Sequence, residues 1–228
     1  VKDDGSIKKS GIEAILTAVD QCMELAEEYD ITQLLAMATS AIKEAPNSNK
    51  ILRKIEERIG QSVTVLSGTD EARLTFLAAR RWYGWDAGRL LMLDIGGSSL
   101  EVAMGSDEEP TVALSAAAGA CRITREYLPE GTASVDELEV VRKKVRRILE
   151  PMVDAFPKSK HPAHAVGTSK MFRSLARLAG AVLRQSGRED TWIMTREQLE
   201  DWIPRLAAIE PEQRVALPGI TPERTMQI

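Results

Sequence analysis

Hydrophobic residues in the first third of the chain recur at spacings that alternate between those of helices and those of strands. Residues 11–29 place apolar side chains, Cys22 among them, every three or four positions, which predicts a helix with one buried face. A short buried strand is predicted at 33–38, and a second amphipathic helix at about 51–59 ends at Gly60. Residues 62–66 alternate as a strand and lead through a turn into a third helix. This order of elements is typical of an α/β layer.

The pattern changes at Arg89, where three strands follow one another with only short turns between them. These strands are predicted at 89–94, 99–105 and 111–116, and they form a β-meander that starts a new sheet. Helices are then expected at about 120–127 and 135–156, followed by a strand at 163–167 and a helix at 169–180. Two more helical segments are expected near 195–207 and 210–228. The new sheet predicts two domains, residues 1–80 and 81–228.

Composition narrows the class of protein. The 228 residues are 43% hydrophobic and 28% charged, with a formal net charge of −4, which is typical of a globular protein. A general nucleic-acid binder usually carries a basic excess, so we expect no nucleic-acid partner. No apolar run approaches the ~20 residues that cross a bilayer, and the polar first residues do not resemble a signal peptide. The two cysteines lack any C-x-x-C spacing, so we expect a cytoplasmic protein without disulfides and without a membrane partner.

The segment "LDIGGSSLEVAMG" at 93–105 ends one strand with an aspartate and turns through two glycines and two serines into the next strand. A P-loop or a dinucleotide-binding fingerprint is excluded, because each requires a helix after its glycines. Successive N–H groups in such a turn can form an anion-binding concavity. Asp94, with Glu101 across the turn, would then hold a cation or a metal-bound water. A plain hairpin with small turn residues explains the same pattern.

Three other segments place hydroxyl, acidic or basic side chains beside a strand end. Asp70 and Glu71 lie in the first turn of a helix, where they complement the helix dipole or supply a carboxylate that activates water. Lys43 follows a strand and two hydroxyl residues, either as a solvated lysine after a helix cap or as part of a polyanion site. Residues 167–169, Gly-Thr-Ser, precede a helix and form a cap or an anion site. Together these turns predict one phosphate-binding cleft between the two domains.

Two motifs in tandem resemble those of the exopolyphosphatase and guanosine pentaphosphate phosphatase (Ppx/GppA) family. They are "SGTDEARLTFLA" and, some twenty residues later, "LDIGGSSLEVAMG". "ATSAIKEAPN", "GACRITREYLP", "AVGTSKMFRSLARLAG" and "LPGITPER" also occur in the order of that family. The resemblance implies an α/β actin-like fold with two ribonuclease-H-like domains around a cleft. It also implies Mg²⁺-dependent release of terminal phosphate from inorganic polyphosphate, or hydrolysis of the γ-phosphate of pppGpp.

The resemblance assigns roles to individual positions. Glu71 matches the catalytic glutamate that polarises the attacking water, and Asp94 and Glu101 match the acids that organise the metal and water. Lys43 falls where the family usually has a phosphate-contacting arginine. Four residues match the phosphate-binding loop: Gly96, Gly97, Ser98 and Ser99. Three residues resemble the later loop of the cleft: Gly167, Thr168 and Ser169.

The sequence also departs from the family pattern. Ser98 replaces the third glycine of D-I-G-G-G-S and would carry a conformational cost if the position needs a positive φ. Lys43 keeps the charge of arginine but loses its bidentate fork. The family's first D-x-G-S-N phosphate loop is expected upstream of Val1 and further helices after Ile228, so the chain resembles a member of the family truncated at both ends.

Three functions therefore compete. The first is a phosphohydrolase acting on polyphosphate, and the second is a non-catalytic paralogue that binds polyphosphate, pppGpp or ppGpp. The third, an ATP-dependent kinase or chaperone of the same fold, fits the position of Glu71 less well. Because the family tends towards dimers, a homodimer is the expected assembly.

Overall fold

The computed structural model describes residue 2 and residues 4–157, 161–180, 182–185 and 190–228. The chain divides into two compact units, Val1–Ser67 and Gly68–Ile228. The sequence predicted a boundary at 80/81, whereas helix α4, Gly68–Tyr83, lies within the second unit. The reason is that its apolar face packs on the sheet that follows it. Whether each unit corresponds to a ribonuclease-H-like domain stays a prediction.

The first unit consists of three helices and two short parallel strands. In chain order these are α1 (Lys9–Glu28), β1 (Met37–Ala38), α2 (Ser40–Lys43), α3 (Ser48–Ile59) and β2 (Thr64–Val65). Leu16 of α1 packs against Ile51 and Ile55 of α3 and forms the core of this unit. Gly60 ends α3 in the left-handed conformation, as the sequence predicted.

The sequence predicted longer strands in the first unit than the structure contains. Only Met37–Ala38 of 33–38 and only Thr64–Val65 of 62–66 are strand. Among the described residues β1 and β2 pair only with each other, and apolar side chains outside that short ladder, such as Leu35 at 72% exposure, lie at the surface. The prediction that Cys22 is a core residue is wrong, because its side chain is exposed. The buried face of α1 ends at Val19, the last residue of that helix in the core.

The second unit is built around a four-stranded sheet with the order β5-β4-β3-β6. Its strands are β3 (Leu90–Ile95), β4 (Leu100–Gly105), β5 (Val112–Ala116) and β6 (His164–Gly167). The first three form the predicted antiparallel meander, whereas β6 returns to pair in parallel with β3. The predicted change to a new sheet near Arg89 is therefore confirmed.

Helices cover both faces of this sheet. On one face, Phe76 of α4 packs with Met92 and Ala103. On the other face, Met152 of α6 (Val135–Ala155) packs with Leu100 and Val102. Because successive strand residues point to opposite faces, the residues two positions from Met92 and Ala103 point towards α4. Asp94 and Glu101, the predicted acids, are those residues.

The remaining elements follow the predictions except near the end of the chain. Helices α5 (Ala120–Tyr127), α6, α7 (Lys170–Leu178) and α8 (Arg196–Ala207) occur where expected, and the antiparallel strands β7 (Val182–Gln185) and β8 (Asp190–Ile193) were not predicted. The predicted helical segment at 210–228 is instead two short 3₁₀ turns, Pro211–Ala216 and Pro222–Arg224. Prolines within this segment remove the N–H donors that a continuous helix would need. None of the helices in the described ranges combines the length and the apolar character required to cross a membrane.

Candidate phosphate-binding site

The predicted glycine–serine loop is the tight connection between β3 and β4. Asp94 pairs with Glu101 and Ile95 pairs with Leu100 at the ends of the two strands. The N–H of Gly96 donates to the carbonyl of Ser99 across a distance of 2.9 Å, which closes the turn. The loop is thus a hairpin turn, which is one of the two structures that the sequence allowed. Its other contacts bear on the second, an anion-binding loop.

The first turn of α5 holds the carbonyl groups of this loop. The N–H of Ala120 donates to the carbonyl of Gly96 at 2.9 Å, and the N–H of Gly119 donates to that of Ser98 at 3.2 Å. A side chain at Gly119 would place its Cβ 2.4 Å from the backbone of Ser98, so only glycine allows this approach. Among the described residues, the N–H groups of Gly97 and Ser98 donate to no protein acceptor. The loop therefore presents backbone donors, as an anion site requires.

Ser98 does not carry the conformational cost of a positive φ that the glycine at this position of the family pattern suggested. Asp30 has a positive φ, and it is alone in this among the non-glycine residues that the structure describes. Gly96 and Gly97 also lie outside the positive-φ region. The loop thus forms in a backbone conformation that serine adopts without strain. A Cβ at Gly97 would make a tight contact, 3.2 Å from the sulfur of Cys121.

Strand β6 brings the predicted later loop to the side of Asp94. Gly167 pairs with Leu93, and the hydroxyl of Thr168 donates a 2.8 Å hydrogen bond to Oδ2 of Asp94. The N–H of Thr168 also donates to the carbonyl of Leu93 at 3.1 Å. Ser169 caps α7 by accepting from the N–H of Phe172, which confirms its interpretation as a helix cap. Residues 94–99 and 167–169 therefore form one continuous site.

Glu101 is a buried carboxylate at the centre of a polar network. It is only 5% exposed and accepts a 2.8 Å hydrogen bond from the hydroxyl of Ser115. Burial raises the pKa of Glu101, hydrogen bonds from Ser99 and Ser115 oppose that rise, and the charge of Asp94 adds to it. Because these hydroxyls engage its oxygens, Glu101 is less available to a cation than Asp94.

The N-terminus of α4 lies beside the same network. A Cβ on Gly68, the first residue of α4, would lie 2.4 Å from both Cβ and Oγ of Ser115, so the start of the helix contacts β5 directly. Asp70 and Glu71 occupy the first turn of this helix and are half-buried. Glu71 is therefore on the helix that covers the Asp94 face of the sheet, with its N-terminus next to a residue bonded to Glu101.

A pocket of about 230 Å³ opens at the loop. Its walls include Gly96 and Gly97 of the loop, Ala120 of α5, and the first residues of α7. Two cationic side chains without a predicted role, Lys170 and Arg224, also line it. A lysine directly after the Gly-Thr-Ser stretch was a usable signal for Lys170. Arg224 had no local signal, because it reaches the pocket through the fold of the last residues of the chain.

Lys43 belongs to the first unit, whereas every other predicted site residue belongs to the second. It is the last residue of α2 and its side chain is exposed. The structure therefore agrees with a solvated lysine, and a contact between Lys43 and phosphate stays a prediction.

The acids of the site fit a magnesium ion only in part. In the described part of the chain, no group of three or more His, Cys, Asp or Glu side chains could hold a metal ion. Mg²⁺ is commonly bound by one or two carboxylates together with water and substrate phosphates, and such a site needs no larger protein cluster. Asp94, half-buried at the edge of the loop and held by Thr168, suits that arrangement.

The fold and the candidate site define an α/β protein whose mixed sheet carries, at one edge, a loop with unpaired backbone N–H donors among the described residues. A model of the Ppx/GppA phosphatase family matches residues 1–228, and the chain belongs to this family. It is 40% identical over 225 residues to Exopolyphosphatase 1 of Mycobacterium tuberculosis, which covers 98% of this chain and 65% of that relative. The chain thus spans just under two thirds of the length of the curated relatives it matches.

Solved structures of the family share the fold. An exopolyphosphatase from Cytophaga hutchinsonii superimposes with a TM-score of 0.82 at 21% identity, over 98% of this chain and 72% of the other. The Aquifex aeolicus PPX-GPPA enzyme gives a TM-score of 0.76 at 21% identity, over 99% of this chain and 74% of the other. The predicted α/β fold is confirmed as the fold of these Ppx/GppA structures, and its actin-like character stays what the resemblance implies.

Proposed function

We propose that this chain carries the catalytic loop of a phosphohydrolase that releases terminal phosphate from inorganic polyphosphate. The observation that carries the proposal is the loop at 96–99, whose carbonyls are held by α5 and whose N–H groups at Gly97 and Ser98 have no acceptor in the described chain. Asp94 lies on β3 directly before this loop, and the N-terminus of α4, which bears Glu71, contacts Ser115, whose hydroxyl donates to Glu101. Family membership supports the same reaction, since the relatives that match over most of the chain are named exopolyphosphatases.

In the proposed reaction, Glu71 acts as the general base. Its carboxylate takes a proton from a water molecule while the water oxygen attacks the terminal phosphorus. The bridging P–O bond then breaks, and the shortened polyphosphate leaves with the electron pair of that bond. Glu71 lies in the first turn of α4, where the helix dipole favours a negatively charged side chain.

The loop would bind the phosphoryl group that is transferred. The N–H groups of Gly97 and Ser98 would donate to its oxygens, and the hydroxyl of Ser98 can add to them, whereas that of Ser99 donates to Glu101. Lys170 and Arg224 line the pocket at the loop and supply positive charge for neighbouring phosphates of the chain. We assign Lys43 the same kind of role in the whole protein.

Magnesium is the proposed cofactor, held by Asp94 together with substrate oxygens. When bound, the ion neutralises phosphate charge and orients the substrate. Thr168 fixes the Asp94 carboxylate through its hydrogen bond, and Glu101 fixes Ser99 and Ser115 around it. We propose the cytoplasm as the location of this reaction and a homodimer as its assembly.

Phosphate release by the full-length protein tests the proposal. We expect Mg²⁺-dependent release of orthophosphate from long-chain polyphosphate, with the chain shortened from its end. The γ-phosphate of pppGpp presents the same terminal phosphoryl group, and parallel assays with both compounds measure the preference. If the protein releases phosphate from neither compound, the proposed hydrolase activity is contradicted.

The lysine at position 43 favours a second candidate, a paralogue that binds polyphosphate, pppGpp or ppGpp without turning it over. Lysine offers a point charge where the family pattern has a bidentate guanidinium. Calorimetry separates the two functions, because the binding protein would show tight binding of pppGpp that persists for hours without release of phosphate.

A further inference from the structure

Arg122, in the first turn of α5, makes two hydrogen bonds to the loop at 96–99. Its backbone N–H donates to the carbonyl of Gly97 at 3.1 Å, and its side-chain Nε donates to the carbonyl of Ser98 at 3.0 Å. The Ser98 carbonyl also accepts from the N–H of Gly119 at 3.2 Å. One loop carbonyl thus has two donors from α5, one of them charged.

The hydrogen bonds to the Ser98 carbonyl matter for an anion site because a peptide group is a dipole. Its carbonyl oxygen carries partial negative charge and its N–H carries partial positive charge. Rotation of the peptide between Ser98 and Ser99 would release the Ser98 carbonyl from Gly119 and Arg122 and leave it free beside the Ser98 N–H donor. A carbonyl there would repel phosphate, whereas the N–H groups attract it. Hydrogen bonds to a charged donor are stronger than neutral ones, so the guanidinium opposes that rotation more than Gly119 does alone.

We infer that Arg122 is a positioning residue that fixes the loop in its phosphate-binding orientation. The inference deepens the proposed function and rests on it for the identity of the anion. It also explains how the loop can carry serine in place of a third glycine: contacts from α5 impose the conformation, and no residue of the loop has a positive φ.

Arg125 provides a matched control on the same helix. It carries the same charge one turn later in α5, its side chain is exposed, and among the described residues it donates no hydrogen bond to the loop. Arg122→Gln and Arg125→Gln therefore remove equal charge from one helix, and only the first removes a loop hydrogen bond. Arg122→Lys keeps the charge and one flexible donor, and melting curves show whether each variant is folded.

Binding of imidotriphosphate, whose P–N–P bridges resist hydrolysis, measures the effect on the full-length protein. We expect Arg122→Gln to weaken binding by about tenfold or more, Arg122→Lys to recover part of that loss, and Arg125→Gln to stay within about twofold. In turnover with polyphosphate, we expect Arg122→Gln to raise KM by a larger factor than it lowers kcat. Equal binding by the two glutamine variants would overturn the inference.

Hydrogen exchange of the loop amides gives a reading that does not depend on any enzymatic activity. We expect the amides that hydrogen-bond the loop carbonyls, those of Gly96, Gly119 and Ala120, to exchange faster in Arg122→Gln than in Arg125→Gln, with the rest of the sheet unchanged. Equal exchange in both variants would overturn the role of Arg122 even if the protein hydrolyses polyphosphate. Conversely, if the wild-type protein binds imidotriphosphate but releases no phosphate from polyphosphate, the hydrolase is refuted. The positioning role of Arg122 is unaffected by that result.

Discussion

The hydroxyl of Ser115 donates a 2.8 Å hydrogen bond to the carboxylate of Glu101, and the two residues face each other across β4 and β5. Ser115 also touches Gly68, the first residue of the helix that bears Glu71. Glu101 in turn accepts from Ser99, the last residue of the phosphate loop. A single hydrogen-bonded pair, of which Glu101 is the buried member, thus connects the helix of the proposed base to the proposed anion site.

Replacement of Glu101 by glutamine should change how stability depends on pH. Burial raises the pKa of Glu101 in the folded protein above its ordinary value of 4.5, so the unfolded chain loses this proton first as pH rises. Wild-type protein therefore loses stability relative to Glu101→Gln as pH rises from the ordinary pKa to the raised one, and the difference is constant above it. Melting temperatures of both proteins between pH 4 and 8 measure this trend, and parallel curves would contradict it.

A methyl group at position 68 should disturb the start of α4. Gly68→Ala places a Cβ 2.4 Å from Ser115, and such overpacking costs about 1–3 kcal/mol even though alanine favours helix. Denaturant unfolding measures that cost. The double variant with Ser115→Gly should show favourable coupling, because it removes the clashing atoms, whereas Ser115→Ala keeps the clashing Cβ and should show less coupling. Equal coupling in the two double variants would contradict this packing.

Glycine at position 98 should bring no gain in activity. The backbone at Ser98 lies outside the positive-φ region, so the third glycine of the family pattern is not required there. Ser98→Gly and Ser98→Ala remove the same hydroxyl, and we expect their kcat/KM values to agree within about twofold, since they differ only in backbone freedom. A clear advantage of the glycine variant would show that the working loop needs a positive φ.

Removal of the Thr168 hydroxyl should weaken the response to magnesium. Thr168→Val keeps the shape of the side chain but leaves Oδ2 of Asp94 without that donor, whereas Thr168→Ser keeps the hydroxyl. A hydrogen bond to a charged group contributes about 1.5–3 kcal/mol, so we expect kcat/KM to fall about tenfold or more in the valine variant. The Mg²⁺ concentration for half-maximal rate should shift in Thr168→Val alone. If serine and valine behave alike, Thr168 does not position Asp94.

The sequence predicted most of the second unit because its strands and helices carry strong local patterns. Alternation marked β3, β4 and β5, and the turn at 96–99 placed Asp94 opposite Glu101. The burial of Glu101 was not predictable, because it depends on the register of β5, which sets Ser115 beside it. The contacts of Gly119 and Arg122 with the loop also join residues more than twenty positions apart. The β7–β8 pair was missed because Val182–Gln185 and Asp190–Ile193 lack clear alternation.

The role of Glu71 is tested most directly by comparing it with its neighbour in the same helical turn. Glu71→Gln and Asp70→Asn each remove one negative charge from the first turn of α4, so both weaken the interaction with the helix dipole alike. Phosphate release from long-chain polyphosphate by the full-length protein is the measurement. We predict a loss of at least about 100-fold in kcat for Glu71→Gln and a loss below about tenfold for Asp70→Asn. Equal rates in the two variants would contradict the assignment of Glu71 as the base.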